Sequence, residues 1–373
     1  MSLPLSPFTL LEVAGPEAQD MHHLALALAG RIAADLGATV IRAAPADDDP
    51  LLRTPVLPWE ADGAAEAVAA TLDASKIVTP IPPGAEGVLD ELAAVADGVF
   101  TCGAFLPDPE RRRVSVRLET LPSNHPFNPG DGPPVGELGL LALSGLLDIV
   151  GDPEREPIAL GGHQAAYAGG LACFAAMMTG LAGRVAHGVG DAYDVDMLDV
   201  LAWVNWKAVG AAEFRPQDKV TREGRQAEWQ VLRAADGWIA LVFNERDWPQ
   251  LAKLVGHPAL ADPALATSAG RGPRRAAYMP HIEAWVAART REEIYRDAQA
   301  RRVPIGPVVE PGEIVDDVQA KARRMIAEVK RGPTGRAMSA PLSPVVWNGA
   351  GFPPRPTATM APEAWLAARA AAR

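Results

Sequence analysis

His163, Gln164 and Tyr167 lie close together in GGHQAAYAGG, between runs with almost no charge. A few polar groups set among apolar walls are what a small-molecule pocket needs. In such a setting a histidine can serve as a base, while an amide and a phenol orient a carbonyl or carboxylate. The surrounding stretch, 135–198, adds small-residue turns at Leu143-Ser144-Gly145 and at Gly151, which let a ligand approach the backbone closely. Other chemistry-bearing residues point to less. Asp194, Asp196 and Asp199 resemble a metal-binding acid run, but Val195, Met197 and Leu198 between them fit a strand entering a helix, with Asp196 as its cap. Side chains of the adjacent pair His22-His23 diverge on a helix, so no metal site is expected there. Cys102 and Cys173 sit in apolar surroundings without a neighbouring base and read as buried, reduced thiols.

With 373 residues the chain is long enough for two domains with sizeable cores. Its net charge of −11 disfavours nucleic acid, which needs clustered cations to neutralise phosphate. The start, MSLPLSPF, lacks the basic and apolar regions of a secretory signal, so a cytoplasmic location is expected. Residues 165–183 carry no charge and approach the length of a membrane span. They are mostly Ala and Gly and lack aromatic belts, so a buried helix is expected and no membrane partner.

The elements that must position these residues follow in order. Thr9 to Val13 reads as a strand, about 17–36 as a helix stopped by Gly37, and Ala38 to Ala43 as a second strand. The alternation continues with helices near 64–72 and 86–95 and strands at 76–79 and 98–102. That pattern predicts an α/β fold with a mostly parallel sheet covered on both faces. No GxGxxG follows the first strand, so no nicotinamide cofactor is expected. A proline- and glycine-rich loop, 122–134, leads to a broken helix at 136–147, a long helix from Gln164 to about Leu181, and a helix near 200–214. Asp236-Gly237 marks a hairpin, followed by helices near 248–255 and 277–288 and one opened by a Thr290/Glu293 capping box. Val303 to Val308 reads as a rigid connector, and a proline-punctuated tail then leads to a final helix from Pro362. These segments predict a large domain over 1–206, a smaller α+β insertion over 207–308, and a return to the large domain over 309–373.

Across this length the chain resembles the family III CoA-transferases, the carnitine dehydratase and bile-acid-inducible type. The resemblance is carried by ADLGATVIRAAP (34–45), LDASKIV around Lys76, LALSGLLDIVG (141–151), GVGDAYDVDMLD (188–199), ADGWIAL (235–241) and VPIGPV (303–308), in that order. It implies a Rossmann-like large domain, a small inserted domain and an interlocked dimer, with coenzyme A and its acyl thioesters as substrates alongside a carboxylic acid. It also implies an aspartate that attacks the thioester, forms an acyl anhydride and then carries CoA as its own thioester.

Counting back from Arg184 and Gly188, the family's helix glycine falls on Gly170 and the nucleophile position on Ala166; a register through Gly169 gives Ala165. Neither alanine can form an anhydride. The related α-methylacyl-CoA racemases add a histidine and a glutamate, at positions that read Gly136 and Asn244 here, with Glu245 adjacent. The remaining catalytic candidates are His163 as a base and Glu137, which the resemblance sets in the pocket-forming turn, as a substitute nucleophile or base. Gln164, Tyr167, Gly169 and Gly170 are candidates for substrate contact, and Arg42 and Lys76 for the CoA phosphates. Two functions compete: a CoA-transferase with a rearranged site, or a non-catalytic subunit pairing with an aspartate-bearing homologue. Another acyl-CoA enzyme, such as a racemase, dehydratase or hydrolase, is a weaker third. The protomer is accordingly expected as a homodimer or in a heteromer with a homologous subunit.

Overall fold

Short β-branched runs alternate with Ala- and Leu-rich helices through the first half of the chain. A computed structural model describes residues 3–53, 64–85, 87–103, 106–122, 124–126, 134–214, 229–330, 335–349 and 351–371. Two units separate: 1–151, 156–221 and 319–373 make the larger, and 152–155 with 222–318 the smaller.

The larger unit opens with β1 (Thr9–Ala14), α1 (Asp20–Asp35), β2 (Thr39–Pro45), α2 (Ala64–Asp73), β3 (Ile77–Ile81), α3 (Gly87–Ala94) and β4 (Gly98–Cys102). Next come β5 (Val114–Glu119), α4 (Glu137–Leu143), α5 (Gln164–His187), β6 (Ala192–Asp196), α6 (Met197–Val204) and α7 (Trp206–Ala211). The smaller unit contains β7 (Gln230–Ala234), β8 (Gly237–Leu241), α8 (Trp248–Val255), α9 (Ser268–Arg271), α10 (Arg275–Ala287), α11 (Arg291–Ala300) and β9 (Ile305–Val308). From α12 (Val318–Arg323) the chain returns through β10 (Ile326–Val329), β11 (Met338–Pro341), β12 (Ala358–Thr359) and α13 (Pro362–Ala371).

Seven strands form the central sheet in the order β12-β3-β2-β1-β4-β5-β6, with every pairing parallel. The α/β reading is therefore right, and the strand order is that of doubly wound sheets. It reverses between β1 and β4, and loops leaving their carboxyl ends diverge there to leave a crevice. One sheet face packs against α1 and α5 through Leu10, Leu24, Phe100, Val116 and Met177. The other packs through Leu11, Ile41, Val99, Leu92 and Trp365, the last from α13. In the smaller unit Phe243, Trp248 and Tyr278 belong to a separate core, and the buried Arg271 guanidinium lies 4.9 Å from the Trp248 ring.

Several elements depart from the sequence reading. β5 was not expected, although VSVRLE alternates buried Val114, Val116 and Leu118 with more exposed Ser115, Arg117 and Glu119. Residues 305–308 form β9 rather than a connector; Pro307 is tolerated because β9 is an edge strand, bonded only to β8. β10 and β11 pair within the expected irregular tail. The 200–214 helix divides at Asn205, whose amide donates to the Ser144 carbonyl. Asp196 does precede α6, but its side chain makes no cap hydrogen bond. α5 is long and apolar enough to cross a membrane by length and composition. It packs against α1, β5 and β6, which buries 44% of its most apolar stretch.

A buried ionic network ties the early strands to the returning tail. Arg42 bonds Asp73 at 2.7 Å and Asp49 at 2.6 Å, and Lys76 bonds Glu12 at 2.6 Å and the Ala27 carbonyl at 2.8 Å. Arg355 reaches the Ala34 carbonyl, and Thr357 bonds the Asp73 carbonyl, so the same segment anchors the chain entering β12. Burial pushes the Glu12 carboxyl up and the Lys76 amine down, and each charge draws the other partway back. Lys76→Met strands a buried carboxylate and is expected to cost about 3–5 kcal/mol, read as a lower urea midpoint. Adding Glu12→Leu should recover most of that loss.

Candidate functional site

α5 runs antiparallel to the sheet, so its first turn lies at the carboxyl end of the strands, the side on which doubly wound folds bind ligands. A helix start leaves backbone N–H groups without intrahelical partners. Here the residue before α5, His163, makes no side-chain cap bond. Glu137, the first residue of α4, reaches across instead: Oε1 accepts from the Ala165 N–H at 2.8 Å. Its other oxygen, Oε2, lies 2.8 Å from His163 Nδ1. A carboxylate only accepts, so Nδ1 carries the proton in this bond.

His163 has φ of +57°, a left-handed conformation that is costly for a residue with a Cβ. The preceding Gly162, at φ +78°, makes the turn accessible. Tyr167 follows one turn into α5; burial and then the Glu137 charge raise its phenol, which stays protonated and able to donate. Glu137, His163 and Tyr167 are thus brought together at a positively polarised helix end that favours a carboxylate. Ala166 is fully buried beside them.

The other sequence candidates fall elsewhere. Gln164 folds back onto its own loop, donating to the Gly161 and Gly162 carbonyls. Gly169 and Gly170 face the core: a Cβ on the first would meet Met197 at 3.4 Å, and on the second the Ala25 carbonyl oxygen at 2.5 Å. Gly170 is small so that α5 can pack closely on α1, whereas a Cβ at Gly169 would make ordinary contact. Arg42 and Lys76 are held inside the larger unit by the carboxylates described above, and a phosphate would have to displace those partners. In the smaller unit Asn244 and Glu245 make local bonds, to the Arg246 and Ser268 N–H groups. The Cys102 and Cys173 thiols are buried and pushed up to about 12, so neither is a thiolate at neutral pH. Among the described residues, no three His, Cys, Asp or Glu side chains gather as a metal site.

The crevice at the strand-order reversal was not legible in the sequence. Gln19, His22, Cys102, Glu119, Thr120 and Val135 are among the residues that line it. At about 190 Å³ it is smaller than the ~300–1,000 Å³ of pockets that enclose a drug-sized ligand, so it suits the end of a longer one. Gln19 donates to the Val135 carbonyl at 3.3 Å, tying the crevice to the segment that enters α4 at Glu137. A larger hollow, about 760 Å³, lies along β4, β5 and β6, but of its lining arginines Arg111 and Arg117 are paired with Asp191 and Asp194, and Arg113 bonds the Leu106 and Pro107 carbonyls.

His22 Nδ1 accepts from the Gln19 N–H at 3.0 Å, and Nε2 lies 2.8 Å from Thr120 Oγ1. Burial pulls His22 from 6.5 to about 4, and His23 falls likewise. The unfolded chain therefore binds more protons than the folded one between those values. Stability is expected to fall as pH drops from 6.5 toward 4, by on the order of 1–3 kcal/mol per ring. Urea midpoints across that range measure it; a flatter profile in His22→Asn than in the wild type supports the assignment, and an unchanged profile contradicts it.

Comparison with known proteins adds a second line of observation. The family model for CoA-transferase family III matches residues 131–363. The chain is 28% identical over 225 residues to a formyl-CoA:oxalate CoA-transferase of Streptomyces avermitilis, covering 54% of this chain and 55% of that protein. It is 24% identical over 193 residues to a succinate–glutarate CoA-transferase of Agrobacterium fabrum, covering 50% of this chain and 48% of that one. The aligned region thus spans about half the length of these curated relatives. Among solved structures, a CAIB/BAIF family protein from Brucella suis superposes with a TM-score of 0.79 at 21% identity, covering 100% of both chains. That likeness shows the shared fold.

Proposed function

The chain belongs to CoA-transferase family III, and from that premise we propose that it moves CoA between an acyl thioester and a carboxylic acid, with Glu137 supplying the carboxylate that Ala166 lacks. The observation that carries this reading is the 2.8 Å bond from the Ala165 N–H to Glu137 Oε1. A carboxylate from α4 occupies the first turn of α5, next to the alanine at the nucleophile position.

In the proposed cycle a Glu137 oxygen attacks the thioester carbonyl and expels CoA thiolate, leaving a mixed anhydride. The thiolate then attacks the Glu137 side-chain carbonyl, releasing the first acid and forming a glutamyl thioester. An incoming carboxylate attacks that thioester and again expels CoA thiolate. Attack of the thiolate on the new acyl carbonyl gives the second acyl-CoA and restores Glu137. His163, bonded to Glu137, keeps the carboxylate oriented, and the Tyr167 phenol is a donor for charge that builds on the carbonyl oxygen.

A second reading, a non-catalytic subunit paired with an aspartate-bearing homologue, is favoured by the methyl group at 166 together with exposed Trp203, Trp206, Val209 and Phe214 along α6, α7 and the turn after them. An apolar row of this kind marks a partner surface. Incubating the purified chain alone with a panel of CoA thioesters and labelled carboxylates separates the two. Label appearing in CoA thioester supports transfer by this chain. No transfer alone, with activity on co-expression with the homologue, favours the subunit.

A further inference from the structure

The chemistry of the crevice bears on which acyl groups it accepts, given the CoA-thioester reading on which this inference rests. His22 is neutral, and its Nδ1 is occupied by the Gln19 N–H, so Nε2 carries the proton and donates to Thr120 Oγ1. The Thr120 hydroxyl hydrogen must therefore point elsewhere, and Thr120 lines the crevice. Among the described residues no protein acceptor is bonded to that hydroxyl, so it is offered to a ligand oxygen.

Among the described residues that line the crevice, the two carboxylate or ammonium-type side chains are both acids. Glu17 and Glu119 line it, and no Lys or Arg stands among its described lining residues. Arg117 bonds Glu119 at 3.3 Å but lies nearer Asp194, at 2.8 Å, so its guanidinium is already shared between carboxylates. Burial, together with the nearby Asp194 and Asp196, pushes the Glu119 carboxyl up, against the pull of Arg117. An acyl chain ending in a carboxylate would have to leave water between two acids without a counter-cation, which is costly. An uncharged chain loses nothing of the kind and can accept the Thr120 hydrogen bond through its carbonyl or hydroxyl oxygen.

We propose that this crevice selects acyl groups without a second carboxylate, with Thr120 as donor to the ligand oxygen, His22 as the residue that orients it, and Glu17 and Glu119 as the excluding wall. Among the substrates in the names of the curated relatives, oxalate, succinate and glutarate are dicarboxylates while the formyl group carries no second carboxylate; this chain would take acyl groups of the latter kind only.

Butyryl-CoA and succinyl-CoA have four-carbon acyl groups and differ at the distal end, one a methyl and the other a carboxylate. Titration calorimetry of both against the full chain is expected to give at least about tenfold tighter binding of butyryl-CoA. The double variant Glu17→Gln/Glu119→Gln should bring the ratio toward one, and Thr120→Val should weaken butyryl-CoA binding. Equal affinities in the wild-type chain, tighter succinyl-CoA, or a ratio unmoved by the double variant would overturn the selectivity while leaving CoA binding in place. Binding of neither thioester would remove the CoA reading and this inference together.

Discussion

Glu137→Gln is expected to lower CoA transfer by about a thousandfold or more while leaving the fold intact, since an amide cannot form the anhydride that covalent transfer requires. The amide keeps the shape of the native side chain. Its oxygen can still accept from Ala165 N–H and its nitrogen can donate to His163 Nδ1 in the other tautomer, so the α5 cap survives. Glu137→Ala removes both bonds and should add a stability loss of about 1 kcal/mol, the usual cost of a lost helix cap. Placing Ala166→Asp in the Glu137→Ala background returns a carboxylate to the same helix end and should recover part of the activity. Steady-state transfer assays with thermal melts on each variant check both effects. Full activity in Glu137→Gln would show that Glu137 caps the helix and does no chemistry.

Gly170→Ala is expected to destabilise the chain by about 2–4 kcal/mol, although alanine is the better helix former by ~1 kcal/mol. The added Cβ would stand 2.5 Å from the Ala25 carbonyl oxygen and 3.2 Å from the Ala25 carbonyl carbon. Those are backbone atoms of α1, which cannot swing aside. Relief requires α1 and α5 to separate, which opens the core that both helices share with Leu10, Phe100 and Met177. Gly169→Ala is the matched control. Its nearest neighbours would be Met197 and Leu118 side-chain atoms at 3.4–3.6 Å, so it should change stability by less than about 1 kcal/mol. Urea midpoints of the two variants make the comparison. Equal effects would mean that the helix crossing has slack.

The α/β alternation was readable because each early strand and helix carries its own periodicity and stop signal, as Gly37 does after α1. β9 was obscured because two prolines in VPIGPV look like a connector until the strand is seen at a sheet edge. At the site, His163 could be singled out from its polar cluster and Glu137 through resemblance, but their contact joins residues 26 apart, one on α4 and one just before α5, which no local pattern encodes. His22 and Thr120 are 98 residues apart, and their crevice exists only once β1, β4 and β5 align at one end of the sheet. Arg42 and Lys76 show the reverse failure. Their partners Asp73 and Glu12 lie 31 and 64 residues away, so buried ion pairs looked like cations awaiting a phosphate.

The central claim, that Glu137 carries CoA during transfer, is tested most directly by mixing the purified chain with an acyl-CoA, quenching in acid and mapping peptides by mass spectrometry. A CoA thioester on the peptide containing Glu137, released by hydroxylamine and absent in Glu137→Gln, is the predicted result. Turnover without an adduct on that peptide, or an adduct on another residue, would contradict it.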